Sequence, residues 1–90
     1  MLSAKEARQK SELIHNKKVD DDYLKLMTYA DDVISKAIEN GDEGISLNLT
    51  QYITLDAILK LIEMLENLGY ATSKSYQDGA YTIYINWGDA

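Results

Sequence analysis

The side chains able to do acid–base or metal chemistry are few in kind: one histidine, His15, fifteen Asp and Glu residues, and no cysteine. A single histidine without cysteine or a second histidine cannot assemble a zinc site of the usual kinds. The missing thiols exclude disulfides, thiolate metal sites and thiol catalysis together. No serine stands in a G-x-S-x-G turn, so a serine–histidine–acid triad has no local support. Asp20, Asp21 and Asp22 suggest a hard-cation site, but consecutive helical residues point about 100° apart and three adjacent carboxylates diverge. Their expected role is to stabilise the start of a following helix. Asp31 and Asp32 read as solvated charges, and no polar cleft for a carboxylate pair is evident. Gly41 and Gly44 lack the spacing of a phosphate-binding loop. The free amides at the first helix start, beside Lys5 and Arg8, offer an anion site for which Glu6 competes. The expectation is a protein that is not an enzyme and carries no metal or cofactor.

Binding residues are easier to find. The aromatic residues are seven Tyr and one Trp with no Phe, and Tyr combines apolar area with a hydroxyl, which suits interfaces and the rims of a small core. Tyr29, Tyr52, Tyr76, Tyr84 and Trp87 are the interface candidates, with Lys5 and Arg8 as candidate contacts for an acidic partner or a phosphate. The net charge of −6 is unevenly placed. Residues 1–18 carry five basic and two acidic side chains, whereas the remainder carries four lysines and thirteen acids. This is a basic arm on an acidic body, and the body's sign opposes non-specific DNA binding, which depends on neutralising phosphates.

These residues must be positioned by a chain of 90 residues, 46% of them hydrophobic, which suits one domain with a short core. Residues 1–19 form a basic helix that is a separable unit in this reading, and 20–90 form the acidic body. Ser3 and Glu6 match a capping box, so a helix begins there. The polar stretch from His15 to Asp22 suggests a break. From Tyr23 a second helix follows, with Tyr23, Leu26, Ala30, Val33 and Ala37 on its apolar face, widened by Met27, Ile34 and Ile38, and Asn40–Gly41 at its end. Gly44 to Thr50 alternates as a strand, and Thr54 caps a core helix that Gly69 stops, bearing Leu55, Ile58, Leu59, Ile62, Leu65 and Leu68, with Leu61 and Met64 widening its face. Tyr70–Tyr76 and Ala80–Trp87 flank a Gln-Asp-Gly turn. Its register is open: a two-residue turn at Asp78 and Gly79 sets Thr72 and Lys74 beside Ile85 and Ile83, whereas a three-residue turn with a glycine bulge sets Ala71 and Ser73 there and is the more economical, because it leaves Lys74 in water and puts small residues beneath a helix.

The expected class is α+β in the order α-α-β-α-β-β, with a three-stranded mixed or antiparallel sheet, its last strand central and helices on one face. The opposite face would show Ser46, Asn48, Thr82, Tyr84 and Asn86. The charged amino terminus MLSAKEARQK does not suit a signal peptide and no run reaches membrane-span length, so the expected compartment is the cytoplasm and no membrane is a partner. The Asn48-Leu49-Thr50 sequon then reads as plain strand.

The opening Met1-Leu2-Ser3-Ala4-Lys5-Glu6-Ala7-Arg8, the helix exit Gly69-Tyr70 and the closing Ile85-Asn86-Trp87 together resemble small accessory proteins of tailed bacteriophages. Asn86 stands where those proteins carry a serine. The resemblance implies a context, the cytoplasm of an infected bacterium, where small acidic proteins disable host machinery by binding it. The leading functional expectation is a self-associating, non-enzymatic binding protein, an anti-host or anti-defence factor acting on a host protein. The alternative is an oligomeric sponge that captures a cyclic nucleotide signal, with Lys5 and Arg8 on phosphates and Tyr84 or Trp87 on bases.

Overall fold

No glycine or proline lies between Leu2 and Glu39, so nothing in the backbone chemistry interrupts a helix there. In the computed structural model of the protein, which describes residues 1–49 and 53–89, this stretch is one continuous helix, α1 (Ala4–Glu39, 36 residues). The expected break is absent, and the element order is α-β-α-β-β: α1, β1 (Gly44–Leu49), α2 (Leu55–Asn67), β2 (Ala71–Gln77) and β3 (Ala80–Asn86). The polar stretch keeps its helix because its side chains find partners elsewhere. Asp20 pairs with Lys60 at 3.3 Å, and Asp22 turns inward, buried to 5% exposure, where its carboxylate accepts the Thr54 backbone N–H at 2.9 Å.

The expected ends of α1 hold. Ser3 Oγ accepts from Glu6 N at 3.2 Å, and beyond the C-cap Asn40, Gly41 adopts a positive φ of 79°. Gly41 N and Asp42 N then donate to the Ile38 and Ala37 carbonyls, closing the helix in a Schellman motif. Gly69 ends α2 in the same way, with φ 97° and a Tyr70 N to Leu65 O bond of 3.0 Å. Thr54 occupies the N-cap position of α2, but its hydroxyl makes no capping bond. The carboxylate beside that helix start is Asp22, so the acidic cluster serves the amino end of α2 rather than that of its own segment.

The three strands form an antiparallel sheet in the order β1-β3-β2, with β3 central. Both helices lie on one face, over Leu47, Leu49, Ile83 and Ile85, and run in the same direction, since Asp22 meets Thr54 while Ala30 and Ile34 border Leu65 and Leu68. Leu26, Leu47, Ile58, Leu61, Ile83 and Ile85 are the largest fully buried side chains. The buried face of α2 is narrower than the expected one: Ile58, Leu61 and Leu65 are buried as expected and Ala57 joins them, while Leu55, Leu59 and Leu68 are exposed. In α1, Ile38 is likewise exposed rather than part of the core face.

The hairpin has the two-residue turn. Asp78 and Gly79 both have positive φ, 53° and 80°, as a type I′ turn requires, and Gln77 pairs directly with Ala80. Thr72 and Lys74 therefore oppose Ile85 and Ile83, and the bulged register is not formed. The helix-side placement of Thr72 is satisfied by a 2.9 Å bond from its hydroxyl to Glu66 Oε1 at the end of α2, while Lys74 reaches water at the sheet edge.

Candidate interaction surfaces

The sheet face away from the helices is built by register. Strand pairing aligns three cross-strand rows: Gly44, Asn86 and Ala71; Ser46, Tyr84 and Ser73; Asn48, Thr82 and Ser75. None of these nine positions carries a charge, in a chain where 27% of residues are charged. Tyr84 stands at the centre, 48% exposed. Small residues surround it, so an open basin of roughly 570 Å³ lies between Tyr84 and the Gly44–Ala71 end. The polar groups are held in place: the Thr82 hydroxyl donates to Asn48 Oδ1 at 3.2 Å, and Asn86 Oδ1 accepts Gly88 N–H at 2.9 Å. The strand alternation alone pointed to Ser46, Asn48, Thr82, Tyr84 and Asn86. It missed Ala71, Ser73 and Ser75, because they reach this face only in the two-residue-turn register.

The second surface is the outside of α1. Every residue from Met1 to Lys18 is exposed, and the arm is joined to α2 by a contact between His15 Nε2 and Asp56 Oδ2 at 3.1 Å. His15 thus has a structural partner in an exposed pair. Arg8 pairs with Glu12 one turn on at 3.0 Å. Farther along the helix, Tyr29 is exposed beside Leu24 and Thr28. Leu13, Ile14 and Leu24 are exposed on this helix and are not among the expected binding residues. The signal available for them was that they are large apolar residues lying off the stripe that faces the core.

The candidate residues do not converge within one chain. Lys5 and Arg8 lie on the arm, Tyr29 on the outer side of α1, and Tyr84 on the far side of the sheet from both helices. Trp87 is half-buried rather than displayed: it packs against the core, with the Tyr70 ring edge-on at 6.0 Å and 86°. Tyr76, at the end of the hairpin, is exposed and tilted against Tyr81 at 4.7 Å. Tyr52 and Thr50 lie outside the described residues. A phosphate-and-base clamp made from Lys5, Arg8, Tyr84 and Trp87 is not formed in a single copy.

The three aspartates point in different directions, Asp20 to Lys60 and Asp22 to Thr54, and no three His, Asp or Glu side chains among the described residues group as metal ligands. No helix among them is long and apolar enough to cross a membrane. Comparison with family models, curated proteins and solved structures returns no match to this chain.

Proposed function

We propose that the protein is a non-enzymatic binding protein that acts by covering the surface of another protein, which in the phage setting implied by the sequence resemblance is a host protein. The observation that supports this is the uncharged sheet face centred on Tyr84. Charged side chains are costly to strip of water, so surfaces built to be covered are depleted of them at the centre and enriched in Tyr. Ordinary exposed antiparallel sheets have no reason to omit Lys and Glu, which protect them from unwanted pairing. The small residues flanking Tyr84 let a partner approach the backbone closely, and the hydrogen bonds that hold Asn48, Thr82 and Asn86 reduce the ordering required on binding.

The test is affinity capture from bacterial lysate with the wild-type chain and with Tyr84→Arg, run beside thermal-shift scans with cyclic nucleotides. A protein retained by the wild-type chain and reduced at least about tenfold by the substitution supports the reading, since a charge placed in the centre of an interface is left unpaired. Equal capture by both chains overturns it. A melting temperature that rises with a cyclic nucleotide would replace it with ligand capture.

A further inference from the structure

We infer that two copies of this chain pair through the outer side of α1, antiparallel, with the basic arm of each lying over the acidic half of the other. The arm buries no side chain and touches the body through the exposed His15–Asp56 pair, and isolated helices of about 15 residues are marginal in water. Opposite the core stripe of Leu26, Ala30, Ile34 and Ala37, the exposed positions Ala7, Lys10, Ile14, Lys17, Asp21, Leu24, Thr28 and Asp31 recur at alternating steps of three and four. Every face of a helix repeats at this spacing; what distinguishes this one is two large apolar side chains, Ile14 and Leu24, set between lysines at one end and aspartates at the other. Ile14 and Leu24 are 72% and 55% exposed on it.

Charge selects the occupant and its direction. On this side the arm presents Lys10 and Lys17, and the half beyond Lys18 presents Asp21 and Asp31; Asp22 is buried, and Asp20 and Asp32 are already paired with Lys60 and Lys36. A parallel pair would set basic on basic and acidic on acidic, whereas the antiparallel pair complements both ends at once, as a two-fold axis requires. The register that places Ile14 opposite Leu24 of the second copy also places Lys17 opposite Asp21, Lys10 opposite Thr28 and Ala7 opposite Asp31. Each body lies behind its own helix, clear of the seam. Pairing through the free edge of β2 is the less favourable route, because a two-fold centred on Lys74 would oppose two lysines. The sheet face stays open in the α1 pair, so failure of this pairing and failure of the sheet-face reading are separate results.

The chain has no cysteine, which makes the register directly testable with Ile14→Cys/Leu24→Cys. Ten helical residues separate the two sites by about 15 Å, beyond disulfide reach within one chain. Oxidation is expected to give a band at twice the 10.2 kDa chain mass, absent from either single variant. Light scattering is expected to show a dimer that Leu24→Glu weakens by at least about tenfold, since the two symmetry-related Ile14–Leu24 contacts are the large apolar contacts of the seam. Lys17→Glu and Asp21→Lys are each expected to weaken self-pairing, and their equimolar mixture to restore it as a heterodimer. All the substituted side chains are exposed in the single chain, so circular dichroism should stay unchanged. A folded monomer at high micromolar concentration overturns the inference. So does a dimer indifferent to Leu24→Glu but lost on Tyr84→Arg, which would place self-association on the sheet.

Discussion

The two halves of α1 share one backbone conformation and almost nothing else. From Asp22 to Ala37 the helix buries Leu26, Ala30, Ile34 and Ala37 against α2 and the sheet, whereas from Ala4 to Lys18 no residue is even half-buried. The first half is helical because Ser3 caps it, because alanine and long charged side chains favour the conformation, and because it continues a helix already nucleated by the body. The second is helical because the core demands it. The consequence is a shape with principal extents of 58 × 28 × 18 Å and a radius of gyration of 16.0 Å, against about 12 Å for a compact chain of this length. Helical conformation therefore marks the length of the element, and burial marks which part of it is folded in the tertiary sense.

The comparison breaks most sharply with paired truncations. Leu26→Ala should cost about 3 kcal/mol in urea denaturation, through lost burial and the cavity left behind, while Leu13→Ala, measured on the monomer, should stay within about 0.5 kcal/mol. Equal costs would mean that the arm belongs to the cooperative core. Asp22→Ala should destabilise by about 1–3 kcal/mol, because the Thr54 N–H loses its acceptor at the start of α2. Asp22→Asn, which keeps a side-chain oxygen, should recover part of that loss; if it behaves as alanine does, the negative charge near the helix terminus, not the hydrogen bond, carries the effect.

Smaller effects fall on the arm. Ser3→Ala removes its cap and should cost about 0.5–1 kcal/mol of local helix stability. The readout is faster amide exchange over the first turns with an unchanged global unfolding midpoint. His15→Ala should change stability by no more than about 0.5 kcal/mol, since the pair with Asp56 is solvent-exposed. Its effect should be confined to exchange rates in the arm. Exchange in that segment should also slow as protein concentration rises if α1 pairs as inferred, and stay constant if it does not.

Much of the fold was legible because its signals are local. Ser3 with Glu6, Asn40–Gly41, Gly69 and Asp78–Gly79 each act through backbone groups within a few residues, so they marked the ends of helices and the hairpin correctly. Alternation placed Leu47, Leu49, Ile83 and Ile85 in the core and Tyr84 on the open face. The failures share another physical cause. The polar run His15–Asp22 looked like a break because its partners Asp56, Lys60 and Thr54 are more than thirty positions away in sequence.

The amino-acid sequence by itself thus determined the α+β class, the number of strands, the Ser3 cap, the glycine-closed helix ends and the segregation of charge along the first helix, all of which follow from neighbours along the chain. Tertiary structure decided between alternatives that the sequence left open: that α1 is continuous, that Leu55, Leu59 and Leu68 stay exposed while Ala57 is buried, and that the hairpin closes in two residues. Those choices depend on how α2 rests on the sheet, with Ile58 and Leu61 in one cluster with Ile83 and Ile85, and on the exposed bond from the Thr72 hydroxyl to Glu66 at the end of α2. The same choice of register brought Ala71, Ser73 and Ser75 beside Tyr84 and completed the uncharged face.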